Sequence, residues 1–194
     1  MSAPPPSPLD AALEVVSFLE ALGIPYVIIG GLAVQYWGEP RGTRDVDITV
    51  MVPAETVDAF LDEATRRFQP RLADAVAFAR RSRVLLLQAR NGVPVDLSLG
   101  IPGYEEEVMR RAVTVTWPGG KRVRLIGCED LIIHKCVAGR PRDLEDVRAV
   151  LVRRRGDVDL AYIREWLAEF AAVLPERDIL GDFERALAAA EEGP

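Results

Sequence analysis

The sequence predicts an α+β protein in which a β-sheet flanked by helices gives way to a helical C-terminal cap. Three observations carry that prediction. Short runs rich in β-branched and aromatic residues, near 26–29, 45–50, 83–89, 93–99, 112–117 and 122–126, are interspersed with segments of helical spacing. An Asn91-Gly92 pair joins two of these runs, as tight hairpins require. From Gly127 onward every apolar pattern repeats at the helical period.

The first helix is expected from Pro8 to Leu22, with Ser7 as cap, Pro8 in the first turn, Leu9, Leu13, Val16 and Leu19 at helical spacing, and Gly23 as the stop. Tyr26 to Ile29 fits a buried strand that ends at Gly30-Gly31, where backbone can approach a ligand closely. Leu32 to Trp37 continues as a short helix. The amides around Gly31 therefore sit at a helix N-terminus, where unpaired N–H groups and the helix dipole favour phosphate. After the turn-like Gly38 to Gly42, a strand begins at Asp45. Alternation puts Asp45, Asp47 and Thr49 on one face and Val46, Ile48 and Val50 on the other.

Pro53 opens a helix running through Phe68, its apolar stripe made of Val57, Phe60, Leu61 and Ala64. Arg83 to Ala89 and Val93 to Leu99 form a hairpin; Val93, Val95, Leu97 and Leu99 share one face and Asp96 lies on the other. The hairpin would bring Asp96 beside Asp45 and Asp47. A short helix over Tyr104 to Arg110 precedes a second hairpin, Ala112 to Trp117 and Arg122 to Ile126, turning at Pro118-Gly119-Gly120-Lys121. Helices then follow over Cys128 to Ala138, Pro141 to about Arg155, Asp159 to Leu174 and Asp178 to Ala190. Residues 8–126 are thus expected to form a core and 127–190 a helical region packed on it.

Composition narrows the function. With 194 residues, 49% of them hydrophobic, the chain can bury a sizeable core. A net charge of −6 argues against a surface coated for nucleic acid, although Arg80-Arg81-Ser82-Arg83 and Arg153-Arg154-Arg155 are basic patches, either solvated faces or phosphate contacts. The proline-rich lead Ser2 to Pro8 has neither the basic nor the apolar region of a secretory signal, and no apolar run reaches membrane-spanning length. Cys128 and Cys136 match no zinc or secreted disulfide pattern, so a reducing cytoplasm is expected. His134, the sole histidine, excludes Ser-His-Asp catalysis and multi-histidine metal sites; it reads as a packed or surface residue.

Two carboxylates about 7 Å apart repel by roughly 2 kcal/mol at an effective dielectric near 20. A hard divalent cation reverses that cost: Mg²⁺ takes oxygen ligands and commonly links paired carboxylates to substrate phosphates. An Asp-x-Asp on its own is more often an acidic strand edge, or a pair of loop ion pairs, here with Arg41 and Arg44. In combination, however, Gly30-Gly31, then Asp45-Val46-Asp47-Ile48, then Asp96 on a later strand resembles the signature of the polymerase-β-like nucleotidyltransferase superfamily.

The resemblance implies a nucleotidyltransferase core with a mixed twisted β-sheet, in which Asp45, Asp47 and Asp96 are the catalytic carboxylates and the ligands of two Mg²⁺ ions. Glu129 to Lys135 and Gly139 to Asp146 add a second likeness, to the AbiEii-like toxin nucleotidyltransferases, in which a helix lysine precedes Arg-Asp-x-x-Asp. It implies that Lys135 neutralises the triphosphate while Asp143 and Asp146 orient it or nearby basic side chains; with the amides of Gly30 and Gly31, and with Arg44 and Arg142, Lys135 and Asp143 make up the expected nucleotide-binding set. On the residues alone, Asp143 and Asp146 equally fit helix N-terminal acids beside Arg142. One departure stands out: Gly31 occupies a position where many superfamily members carry a phosphate-holding serine. The implied reaction is transfer of a nucleoside monophosphate from a nucleoside triphosphate (NTP) to an acceptor hydroxyl. The toxin branch implies an RNA acceptor, tRNA above all, and a cognate antitoxin partner. The alternatives are an antibiotic-type small-molecule acceptor and a non-catalytic antitoxin or binding module of the same fold.

Overall fold

A computed structural model describes residues 6–192. The proline-rich lead falls outside the described residues up to position 5. In chain order the elements are α1 (Pro8–Ala21), β1 (Tyr26–Ile28), α2 (Gly30–Trp37), β2 (Val46–Val50), α3 (Val57–Arg67), β3 (Gln69–Pro70), α4 (Ala75–Ser82), β4 (Val84–Gln88), β5 (Pro94–Leu99), α5 (Tyr104–Arg111), β6 (Val113–Thr116), β7 (Arg122–Leu125), α6 (Cys128–Ala138), α7 (Pro141–Arg153), α8 (Leu160–Val173) and α9 (Ile179–Glu191). The α+β class holds. The chain divides into two compact units, Met1–Leu32 with Gly42–Ile126, and Ala33–Arg41 with Gly127–Pro194.

The first unit contains a mixed seven-stranded sheet, counted among the described residues, in the order β3-β4-β5-β2-β1-β7-β6. Strand β2 runs antiparallel to β1 and parallel to β5, and β1 runs parallel to β7; the remaining pairs are antiparallel. Strict alternation along β5 buries Val95, Leu97 and Leu99 and leaves Pro94, Asp96 and Ser98 partly open. A one-residue slip would reverse those faces, so the register is fixed by burial. Helix α1 packs on β1 and β2, and its Phe18 meets Phe60 of α3 and, edge-on at 5.3 Å, Phe68. Burying a side chain of this size is worth roughly 1.5–3 kcal/mol.

Residues 69–82, for which the sequence suggested no element, form β3 and α4. Helix α4 is only eight residues long, and it buries Ala75 and Ala79 rather than a stripe of large side chains, so its periodicity is faint. It ends at Arg83 with φ 58, a left-handed conformation that usually selects glycine. The Arg83 guanidinium compensates by donating to the carbonyls of Leu99 (3.0 Å) and Gly100 (2.8 Å).

In the second unit α6 packs against α7, α8 and α9, and α7 against α9, around buried Ile132, Ile133, Val147, Ile163 and Phe183. Gly139 (φ 61) ends α6, and Pro141 opens α7. The basic patches are largely engaged at home. Arg80 pairs with Asp58 at 3.0 Å, Arg153 donates to the Gly38 carbonyl at 2.7 Å, and Arg155 donates to the Ala190 carbonyl.

Candidate active site

Strand β1 delivers the chain to the glycine pair, and the Ile29 amide donates to the Asp47 carbonyl at 2.9 Å, extending the β1–β2 pairing up to the bend. Helix α2 begins at Gly30, two residues earlier than the sequence suggested, so both glycines lie in its first turn. Gly30 has φ +62, and a Cβ built on it would sit 2.0 Å from Asp47 Oδ2. The Asp47 carboxylate therefore lies in the space that only glycine leaves open, at the N-terminal end of a helix.

Asp47 and Asp96 are register partners in the parallel β2–β5 pair. Neighbouring strands lie about 4.8 Å apart, so two carboxylates emerge side by side from the same sheet face. Asp45 sits just ahead of β2, exposed, and its Oδ1 accepts a 2.8 Å hydrogen bond from the Thr43 hydroxyl. Burial pushes the Asp96 carboxyl above its usual pKa; the Arg71 guanidinium pulls it down and the Asp45 charge pushes it up again.

The carboxylates are not drawn into a tight cluster. Among the described residues no group of three or more His, Cys, Asp or Glu side chains is gathered closely enough to hold a metal ion. Asp45 is turned toward Thr43, and Asp96 accepts from the Arg71 guanidinium. The donor set is nevertheless all carboxylate oxygen, partly solvated and mutually repulsive, which is the chemistry that suits a hard divalent cation.

Two participants, Thr43 and Arg71, lie outside the residues expected from the sequence. Thr43 packs on the helix turn, its hydroxyl 2.3 Å from where a Cβ at Gly31 would stand. Arg71 lies 25 residues from Asp96, beyond any local pattern. The i, i+2 spacing of Thr43 and Asp45 was the one available hint, since short hydroxyl side chains bond locally in such turns.

The remaining expected residues lie in the second unit. Lys135 is buried, its Nζ 2.7 Å from Asp143 Oδ1 and 2.9 Å from Asp146 Oδ2. Asp146 also takes a two-pronged contact from Arg41 (2.6 and 2.7 Å), and Asp143 accepts from the Arg140 side chain at 2.7 Å and the Arg140 amide at 3.3 Å. Burial alone would raise both aspartates; the donated hydrogen bonds and charges outweigh it and hold both carboxyls below the usual range. Arg142 is exposed in the first turn of α7, and Arg44 is exposed beside Asp45.

Residues 9–179 match the model of a family described as "Nucleotidyl transferase of unknown function (DUF2204)". The chain belongs to this family. Among solved structures, the transferase is similar to the antibiotic-resistance factor ANT(2'')-Ia in solution, at 15% identity over 87% of this chain and 95% of that one, with a TM-score of 0.55. It is similar to ANT(2'')-Ia in complex with adenylyl-2''-tobramycin as well, at 16% identity over 86% and 99% of the two chains, TM-score 0.51. An antigenic nucleotidyltransferase-like protein from Paracoccidioides brasiliensis matches at 19% identity over 93% of each chain, with a TM-score of 0.48. At such identities the ANT(2'')-Ia likeness establishes the fold of the transferase. No curated protein matches this chain. Among the described residues no helix is long and apolar enough to cross a membrane.

Proposed function

We propose that this nucleotidyl transferase moves a nucleoside monophosphate from an NTP to an acceptor hydroxyl at the Asp45, Asp47 and Asp96 face of its sheet. The observation that carries the reading is the pairing of Asp47 with Asp96 directly beside the positive-φ glycine at the start of α2. Amides of the Gly30-Gly31 turn and exposed Arg44 face the phosphates. Asp45, Asp47 and Asp96 would hold Mg²⁺, two ions in the fullest form, which neutralises phosphate charge and acidifies a bound hydroxyl. The acceptor oxygen attacks the α-phosphorus, its proton passes to Asp96, and the bond to pyrophosphate breaks, so the protein's share is positioning and charge neutralisation.

For the acceptor we favour a small hydroxylated molecule. Three arginines of the basic runs, Arg83, Arg153 and Arg155, donate to backbone carbonyls of the chain itself, which leaves fewer cations for a nucleic-acid backbone. ANT(2'')-Ia, similar in fold, was captured with an adenylylated tobramycin. The second reading is the toxin-type one: an RNA or tRNA acceptor and a cognate antitoxin, supported by the run Lys135, Arg142, Asp143 and Asp146. Two buried free thiols, Cys128 and Cys136, suit work in the cytoplasm.

The test is label transfer from α-labelled NTPs with Mg²⁺, offered aminoglycoside-like polyols and tRNA in parallel. Transfer should fall by roughly a hundred- to a thousand-fold in Asp45→Ala and Asp96→Ala, the scale expected when charge stabilisation is removed from such a centre. Transfer that persists in both variants would falsify the site. Labelling confined to tRNA would decide for the second reading.

A further inference from the structure

Arg71 has no place in the reaction just described, yet its position is over-determined. It follows the two-residue edge strand β3, and its amide donates to the Leu86 carbonyl at 3.0 Å. Leu86 is the register partner of Asp96, and Asp96 is the register partner of Asp47. Arg71, Leu86, Asp96 and Asp47 therefore form one row across four neighbouring strand positions. At about 4.8 Å per strand, Arg71 stands two strands from Asp96, a span that an arginine side chain and an aspartate together close. The guanidinium passes the level of Leu86 and donates to Asp96 Oδ1.

We propose that Arg71 is a positioning residue, a latch that holds the Asp96 carboxylate toward the sheet edge until a divalent cation and nucleotide arrive to take it. The inference rests on the carboxylate reading above. Its physical basis is that both partners are about one-third exposed, 31% and 34%. An ion pair so placed is worth little and exchanges readily, unlike a buried pair. The same oxygen cannot give its full charge to Arg71 and to a cation shared with Asp45 and Asp47. Arg71 is thus a competitor for the cation, and its charge offsets that of Asp96, whose register partner on the next strand is Asp47.

Competition makes a prediction that a merely structural arginine does not. Removing the guanidinium should tighten cation binding. The measurement is Mn²⁺ titration of the full chain without nucleotide, followed by electron paramagnetic resonance of the free ion. Arg71→Ala and Arg71→Gln should each bind Mn²⁺ about three- to ten-fold more tightly, a change of up to ~1.4 kcal/mol. Arg71→Lys, which keeps the charge without the fork, should fall between these variants and the parent. In an Asp96→Asn background the Arg71→Ala effect should vanish. Equal or weaker Mn²⁺ binding in both Arg71→Ala and Arg71→Gln, or a gain that survives in Asp96→Asn, overturns the latch. Failure of label transfer in the parent chain would overturn the proposed reaction instead, and leaves the Mn²⁺ comparison intact as a separate result.

Discussion

Replacing Lys135 by methionine tests whether this lysine serves the fold of the helical unit or a bound triphosphate. Its ammonium is shared by Asp143 and Asp146, at 2.7 and 2.9 Å, and the two acid side chains are each 5% exposed. Methionine fills a similar volume but leaves those carboxylates with only Arg140 and Arg41 respectively. Hydrogen bonds to charged groups contribute about 1.5–3 kcal/mol each, and breaking a buried pair by removing one partner costs about 3–5 kcal/mol. For a chain of this size each kcal/mol moves Tm by about 2–4 °C, so Lys135→Met should melt on the order of 10 °C lower by calorimetry. The double variant Lys135→Met/Asp143→Asn, which also removes a stranded charge, should recover part of that loss. The deficit should also close in acid. Both aspartates have depressed pKa values in the folded state, so their contribution is complete above about pH 4, the unfolded carboxylate value, and disappears as pH falls through the folded values. A variant that melts with the parent while its NTP affinity drops ten-fold would refute the structural role and make Lys135 a phosphate ligand.

Other expectations concern smaller perturbations. Gly30→Ala forces a Cβ to within 2.0 Å of Asp47 Oδ2 at φ +62, so it should cost about 2 kcal/mol or more in urea unfolding and abolish label transfer. Thr43→Val keeps the shape but removes the 2.8 Å hydrogen bond to Asp45; Tm should move by only about 2 °C while kcat/KM for transfer falls several-fold. Burial, assisted by the neighbouring Lys135 charge, pushes His134 down to about 4, below its unfolded value near 6.5. The unfolded chain therefore binds the proton first, and stability should decline by roughly 3 kcal/mol between pH 6.5 and pH 4, a slope that His134→Gln should flatten.

Much of the fold was legible because local signals agreed with one another. Alternation from Val93 to Leu99, the Asn91-Gly92 turn, Gly139 at a helix end and Pro141 at the next start each specify backbone without distant help. The β3–α4 stretch was illegible because a two-residue strand and a helix that buries only alanines leave almost no hydrophobic period. Alternation in the sequence placed Asp96 on the open face of its strand, but its alignment with Asp47 depends on which strands become neighbours. Partner choice was harder still. Arg41 finds Asp146 across 105 residues and Arg71 finds Asp96 across 25, and nothing in a charge pattern says which of many aspartates an arginine will meet.

The parallel pairing of β2 with β5 has a consequence for the newborn chain. Antiparallel hairpins can close as soon as both arms exist, whereas this pair must wait for the whole crossover through α3, β3, α4 and β4 to be made. A ribosome that has not yet translated Leu99 cannot release a fragment containing the finished acidic row. Truncated products that stop before Leu99 are therefore expected to be inert, with an unpaired β2 edge exposed to aggregation and proteolysis.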